Sequence, residues 1–204
     1  MKKFLWLAVL ALGLPIATWA NSTQIVFKNT GGTLTTNGSI VALTNSTLSS
    51  FSMGGTTYTG KLGSVTFTTN SLLSGTLGGG ATFSAGGTFT ITGNGTNGIP
   101  NGVLFSGSFS GPVTWTGIQN PKLGNWTYTL TGSVQGTLSN GSSAYGGTLQ
   151  LSFDVPKGQQ FGVGHSARLN NGVTTVTVPE PGTLSLLGTG LLGLAGLIRR
   201  KFST

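Results

Sequence analysis

Between residues 21 and 178 the chain alternates apolar and polar side chains, and no helical periodicity runs through it. Val65-Thr66-Phe67-Thr68, Thr88-Phe89-Thr90-Ile91-Thr92, Trp126-Thr127-Tyr128-Thr129-Leu130 and Leu149-Gln150-Leu151-Ser152-Phe153-Asp154-Val155 are the clearest runs. Successive side chains of a strand point to opposite faces, so a period of two with β-branched and aromatic residues predicts half-buried strands. Asn37-Gly38, Gly54-Gly55, Asn94-Gly95, Asn101-Gly102, Asn140-Gly141 and Asn171-Gly172 punctuate these runs. Such pairs supply the positive φ angles of tight hairpins. Strand candidates recur about every 8–12 residues, which predicts an all-β fold, an antiparallel β-sandwich or jelly-roll-like domain. Phe67, Phe89, Phe105, Phe109, Leu130, Leu151 and Phe153 are its expected apolar anchors. No strict repeat argues for a solenoid. The glycine-rich stretch 75–98 is expected to be partly flexible.

Composition removes most catalytic chemistry. The chain has 204 residues with no cysteine, 2 acidic residues and one histidine. Disulfides, thiolate metal sites and cysteine nucleophiles are therefore excluded. Glycosidases ordinarily need two carboxyl groups, and residues 21–178 offer Asp154 alone. A serine triad would have to use Asp154 and His165, and no Gly-x-Ser-x-Gly elbow places a nucleophile. One histidine and one carboxylate do not complete a zinc or calcium shell. The expectation is a protein that is not an enzyme and uses no cofactor or metal.

The formal net charge is +8. Lys2, Lys3, Arg199, Arg200 and Lys201 supply half of the cations, while Lys28, Lys61, Lys122, Lys157 and Arg168 are scattered singly through the interior. Nucleic-acid binding requires a clustered basic face, so no nucleic-acid partner is expected. Charge at the two ends reads as membrane topology instead.

Lys2 and Lys3 precede an apolar run from Phe4 to Ala17, and Thr18-Trp19-Ala20 offers small residues for cleavage after Ala20. Residues 1–20 thus have the layout of a signal peptide with a signal helix, removed by signal peptidase. Residues 21–177 would form the extracytoplasmic β domain and 178–201 a C-terminal segment. In that segment Pro179-Glu180-Pro181 precedes an apolar stretch, residues 183–198, closed by Arg199-Arg200-Lys201. As a helix the stretch is roughly 24 Å long, short against a hydrocarbon core of about 30 Å. The basic end would stay cytoplasmic.

The order Pro-Glu-Pro, glycine-rich apolar stretch and basic end resembles the PEP-CTERM sorting segment of Gram-negative bacterial surface proteins. Similar segments are also labelled an ice-binding protein C-terminal domain. The resemblance implies a transient inner-membrane anchor and handling by an exosortase, a membrane protease or transpeptidase. It also implies a host that makes exopolysaccharide, with release to the cell surface or the matrix. Pro179, Glu180, Pro181, Arg199, Arg200 and Lys201 would be recognition residues with no catalytic role.

Two ligand readings arise in the β domain. Trp115, Trp126, Tyr128 and Tyr145 could present flat faces to glycans, although core packing is the simpler reading for Trp115. Thr57-x-Thr59, Thr66-x-Thr68, Thr88-x-Thr90-x-Thr92, Thr114-x-Thr116, Thr127-x-Thr129-x-Thr131 and Thr175-x-Thr177 place threonines on strand faces, an arrangement that in register could order ice. Threonine is also simply a good exposed strand residue, and sheet twist spoils a flat array. Asn-x-Ser/Thr tripeptides begin at Asn21, Asn37, Asn45, Asn94, Asn125 and Asn140. The sequence as a whole reads as a non-enzymatic exported surface or extracellular-matrix protein, structural or adhesive in a biofilm. The alternative is a carbohydrate-binding or ice-binding module on the same scaffold.

Overall fold

A computed structural model describes residues 22–179. Within them Gln24–Val178 form one compact unit. The twelve strands are β1 (Ser22–Thr30), β2 (Thr33–Thr36), β3 (Val41–Met53), β4 (Thr56–Thr68), β5 (Leu72–Thr76), β6 (Gly80–Phe83), β7 (Gly86–Asn94), β8 (Asn101–Phe109), β9 (Val113–Gln119), β10 (Trp126–Leu138), β11 (Ser143–Val155) and β12 (Ala167–Pro179). The antiparallel all-β expectation holds. The signal helix and the apolar helix at 183–198 lie outside the described residues.

Hydrogen bonding joins the strands into one sheet that closes on itself. The ring runs β3-β4-β7-β8-β10-β11-β12-β2 and returns to β3, antiparallel at every step. Two long strands each serve two partners on one edge. On β10, Trp126–Thr131 pair with β9 and Val134–Leu138 with β8. On β3, Val41–Thr44 pair with β2, while Thr47–Met53 pair with β1. A short wing, β9-β6-β5, extends from β10. Closure leaves few unpaired strand edges, which are a route to aggregation.

The alternation works as a sorting rule between inside and outside. All seven predicted anchors are buried. Phe27 on β1 meets Phe105 on β8 across the interior, ring centroids 6.5 Å apart, although these strands are not neighbours in the sheet. Phe67, Phe89 and Phe109 pack edge to face around the same core, at 5.9 Å and 6.3 Å. Opposed faces therefore interdigitate as in a sandwich. The partition is the inverse of a membrane barrel, which turns its apolar residues outward.

The glycine-rich stretch 75–98 carries the end of β5, all of β6 and all of β7. Two expected turns are corrected. Asn171-Gly172, read as a turn, lies inside β12 beside a bulge, because Ser152 pairs with Asn171 while Phe153 pairs with Leu169. Gly172 is required there by close approach: a Cβ would collide with the Asn29 side chain and with Leu151. Asn101-Gly102 likewise opens β8 instead of forming a turn. Gly54-Gly55 and Asn140-Gly141 do occupy the β3–β4 and β10–β11 turns, and both glycines of the first have positive φ.

Candidate functional site

The four aromatic residues considered as a ligand platform do not share a surface. Trp115 is 1% exposed, and its indole Nε1–H donates to the Leu77 carbonyl at 2.9 Å. Tyr128 is fully buried and stacks on Trp115 at 4.8 Å and 9° between ring planes. Trp126 stacks on the far side of Tyr128 at 5.8 Å and is half-buried against the core. Tyr145 is 57% exposed but sits near the opposite end of β11 from Val155, the partner of Trp126. Ten residues of strand separate those two positions, roughly 33 Å. The reason is parity: residues 126, 128 and 130 of β10 share the inward face, so the packing that makes them a stack also removes most of it from solvent.

This stack positions the β11–β12 connection. The Tyr128 hydroxyl donates to the Gly78 carbonyl at 2.9 Å and accepts from the Phe161 N–H at 3.1 Å. Burial raises the Tyr128 pKa above its ordinary value, and the Phe161 bond opposes the shift. Phe161 is itself buried, 5.1 Å from Trp115. The connection after Val155 is thereby held at its middle, and it returns as β12 beside a surface concavity of the domain.

That concavity is a groove of about 630 Å³ lined by Gly32, Thr33, Asn45, Asp154, Ser166 and Arg168, among others. Three neighbouring strands are irregular there. The β1–β2 edge breaks at Gly31 and Gly32, both with positive φ, and each is tied to Leu169 of β12 by a backbone bond. A Cβ on Gly32 would press to 2.7 Å from the Thr44 carbonyl oxygen, so no other residue fits the break. On β3 the register shifts between Leu43 and Ser46, and Asn45 takes a φ of 56°. The β12 bulge beside Asn171 completes the set. Behind Asn45, the buried Asn29 Nδ2 donates to Ser46 Oγ at 2.8 Å, which fixes the bulge from within.

Asp154 and Arg168 are directly opposite one another on β11 and β12. The Asp154 carboxylate accepts a bond from Thr127 Oγ1 at 3.0 Å and is half-buried, while Arg168 is exposed. His165 is exposed, its Nδ1 3.3 Å from Gln159 Oε1. Asp154 and His165 thus each hold a different partner and do not hydrogen-bond as a catalytic pair. Among the described residues no group of three or more His, Cys, Asp or Glu comes together as a metal site. Sequence reasoning missed the groove. Asn45 stood out only as part of an Asn-x-Thr tripeptide, and no local signal tied it to Arg168.

The threonines face outward in cross-strand pairs. Thr66 pairs with Thr90, and Thr68 with Thr88, their hydroxyls 2.8 Å apart. Thr114 pairs with Thr131 and Thr116 with Thr129. These rows lie in different parts of the sheet, on β4–β7 and on β9–β10.

The last strand leads straight into the tail. Val178 packs against the core and Pro179, the final residue of β12, is exposed. Glu180, Pro181, Arg199, Arg200 and Lys201 lie outside the described residues. The chain therefore joins an all-β domain to a C-terminal segment of the sorting class, with no spacer between strand and motif. The family model of the PEP-CTERM protein-sorting motif matches residues 177–201. This motif marks the chain for export and for handling by an exosortase. No curated protein and no solved structure matches the chain.

Proposed function

We propose that this is a non-enzymatic surface or extracellular-matrix protein of a Gram-negative bacterium, structural or adhesive in a biofilm. It is exported through its signal peptide, held briefly in the inner membrane, then cut and released or transferred by exosortase. The observation that carries the reading is the sorting motif at 177–201 continuous with the last strand of a β domain whose outer face is rich in hydroxyl groups. The separate partners of Asp154 and His165 support the non-enzymatic part. Intact mass and terminal peptide mapping of the protein from its native host test it. Loss of residues 1–20 and of everything beyond the Pro179–Pro181 region is expected. A retained Arg199-Arg200-Lys201 end would make it an inner-membrane-anchored domain and overturn the matrix role.

A second reading, a glycan-binding module, is favoured by the groove at Asp154 and Arg168 and not by the aromatic residues.

A further inference from the structure

We infer that the groove between β3, β11 and β12 binds a neutral, hydroxyl-rich ligand, a segment of uncharged polysaccharide, through Asp154, Arg168 and Asn45. This rests on the adhesive reading above and gives it a contact point. The volume, about 630 Å³, falls within the ~300–1,000 Å³ of small-ligand sites. Its polar groups are complementary to a diol. A carboxylate only accepts, a guanidinium only donates, and an amide does both. A sugar hydroxyl can donate to Asp154 while its neighbour accepts from Arg168, and charge-assisted bonds of this kind are stronger than neutral ones. Facing charges of opposite sign also discriminate. An anion meets Asp154 and a cation meets Arg168, whereas an uncharged ligand satisfies both.

The backbone supplies an independent argument. A non-glycine residue in the left-handed region costs free energy and persists only where its surroundings impose it. Asn45 is one of two such residues described, and Asn29 and Ser46 hold the turn of chain behind it. Bulges re-aim side chains and concentrate at sheet margins and sites. Here a strand break at Gly31-Gly32, the Asn45 bulge and the β12 bulge fall on neighbouring strands, and the sole acid and the sole arginine between residues 22 and 179 face each other beside them. Regular pairing would have packed these strands flat; the irregularities open a concavity around the two charged side chains.

The test uses the protein as recovered in mild detergent from its native host, with its ends as the host leaves them, titrated calorimetrically with neutral gluco-, galacto- and manno-oligosaccharides and with uronate oligosaccharides. Saturable binding of at least one neutral oligosaccharide is expected. Asp154→Asn and Arg168→Gln should each weaken it at least about tenfold with unchanged melting temperature. The first keeps an acceptor for Thr127, and chemical-shift changes confined to residues 32–45 and 154–168 of the unaltered protein give a reading that no variant can confound. Absence of binding by any neutral oligosaccharide, binding untouched by both variants, or a preference for uronates lost only in Arg168→Gln would each overturn it. Terminal mapping reports separately on sorting, so failure here and failure of the export reading are distinguishable.

Discussion

Replacing Tyr128 with phenylalanine isolates the pin that holds the β11–β12 connection. The ring and its stack with Trp115 remain, and only the hydroxyl is lost. Two bonds go with it. The Phe161 N–H is buried and is left without an acceptor, which costs about 1–3 kcal/mol. The Gly78 carbonyl is half-exposed, so water recovers part of its bond and the loss there is nearer 0.5 kcal/mol. Together the variant should lose about 1.5–3.5 kcal/mol, or roughly 3–14 °C in melting temperature for a domain of this size.

The same substitution carries a pH signature. Burial raises the Tyr128 pKa, so the folded protein keeps its phenolic proton after the unfolded chain has released it. Below about pH 10 both states are protonated and the contribution is constant. Above that, folding takes up a proton, and stability falls by up to about 1.4 kcal/mol per pH unit until the folded-state pKa is passed. Tyr128→Phe cannot show this loss. Urea unfolding at about pH 8 and about pH 11 should therefore give a stability gap between the two proteins that shrinks at the higher pH. Every other residue is the same in the two proteins, so its contribution cancels in the comparison. A gap of the same size at both pH values would refute the assignment of a raised pKa to burial. A gap below about 0.5 kcal/mol at the lower pH would refute the pin itself.

Ser46→Ala should lower stability by about 1–3 kcal/mol, because the buried Asn29 amide loses its acceptor; urea unfolding checks it, and an unchanged midpoint would mean that the bulge is held by backbone alone. Trp115→Phe should lower the melting temperature through lost packing and the lost Leu77 bond while leaving oligosaccharide binding unchanged; reduced binding with unchanged stability would return Trp115 to the ligand site.

What could be read from the chain and what could not divide along one physical line. Parity along a strand needs no knowledge of neighbours, so Phe67, Phe89 and Phe153 declared their inward face in sequence, and Thr66 and Thr90 their outward one. The same parity placed Asp154 on the polar side of its strand. Register is different, because it is settled by pairing partners far away in the chain. Arg168 stands opposite Asp154 only because β12 is bulged by one residue, and Asn45 joins them only because β3 is bulged too. Asn171-Gly172 shows why no local rule foretold this. The dipeptide that makes a tight turn also suits a strand crowded from both sides, and here crowding by Asn29 and Leu151 decided the matter. The aromatic residues failed as a site for the complementary reason. Trp115 and Tyr128 drew attention because they are large and flat, but their parity had already assigned them to the interior. In a chain built almost wholly of alternating strands, chemistry at the surface has to be assembled by register. The residues that merit attention are then the rare charged ones on the outer face that an irregularity brings together, and β11 and β12 bring together Asp154 and Arg168.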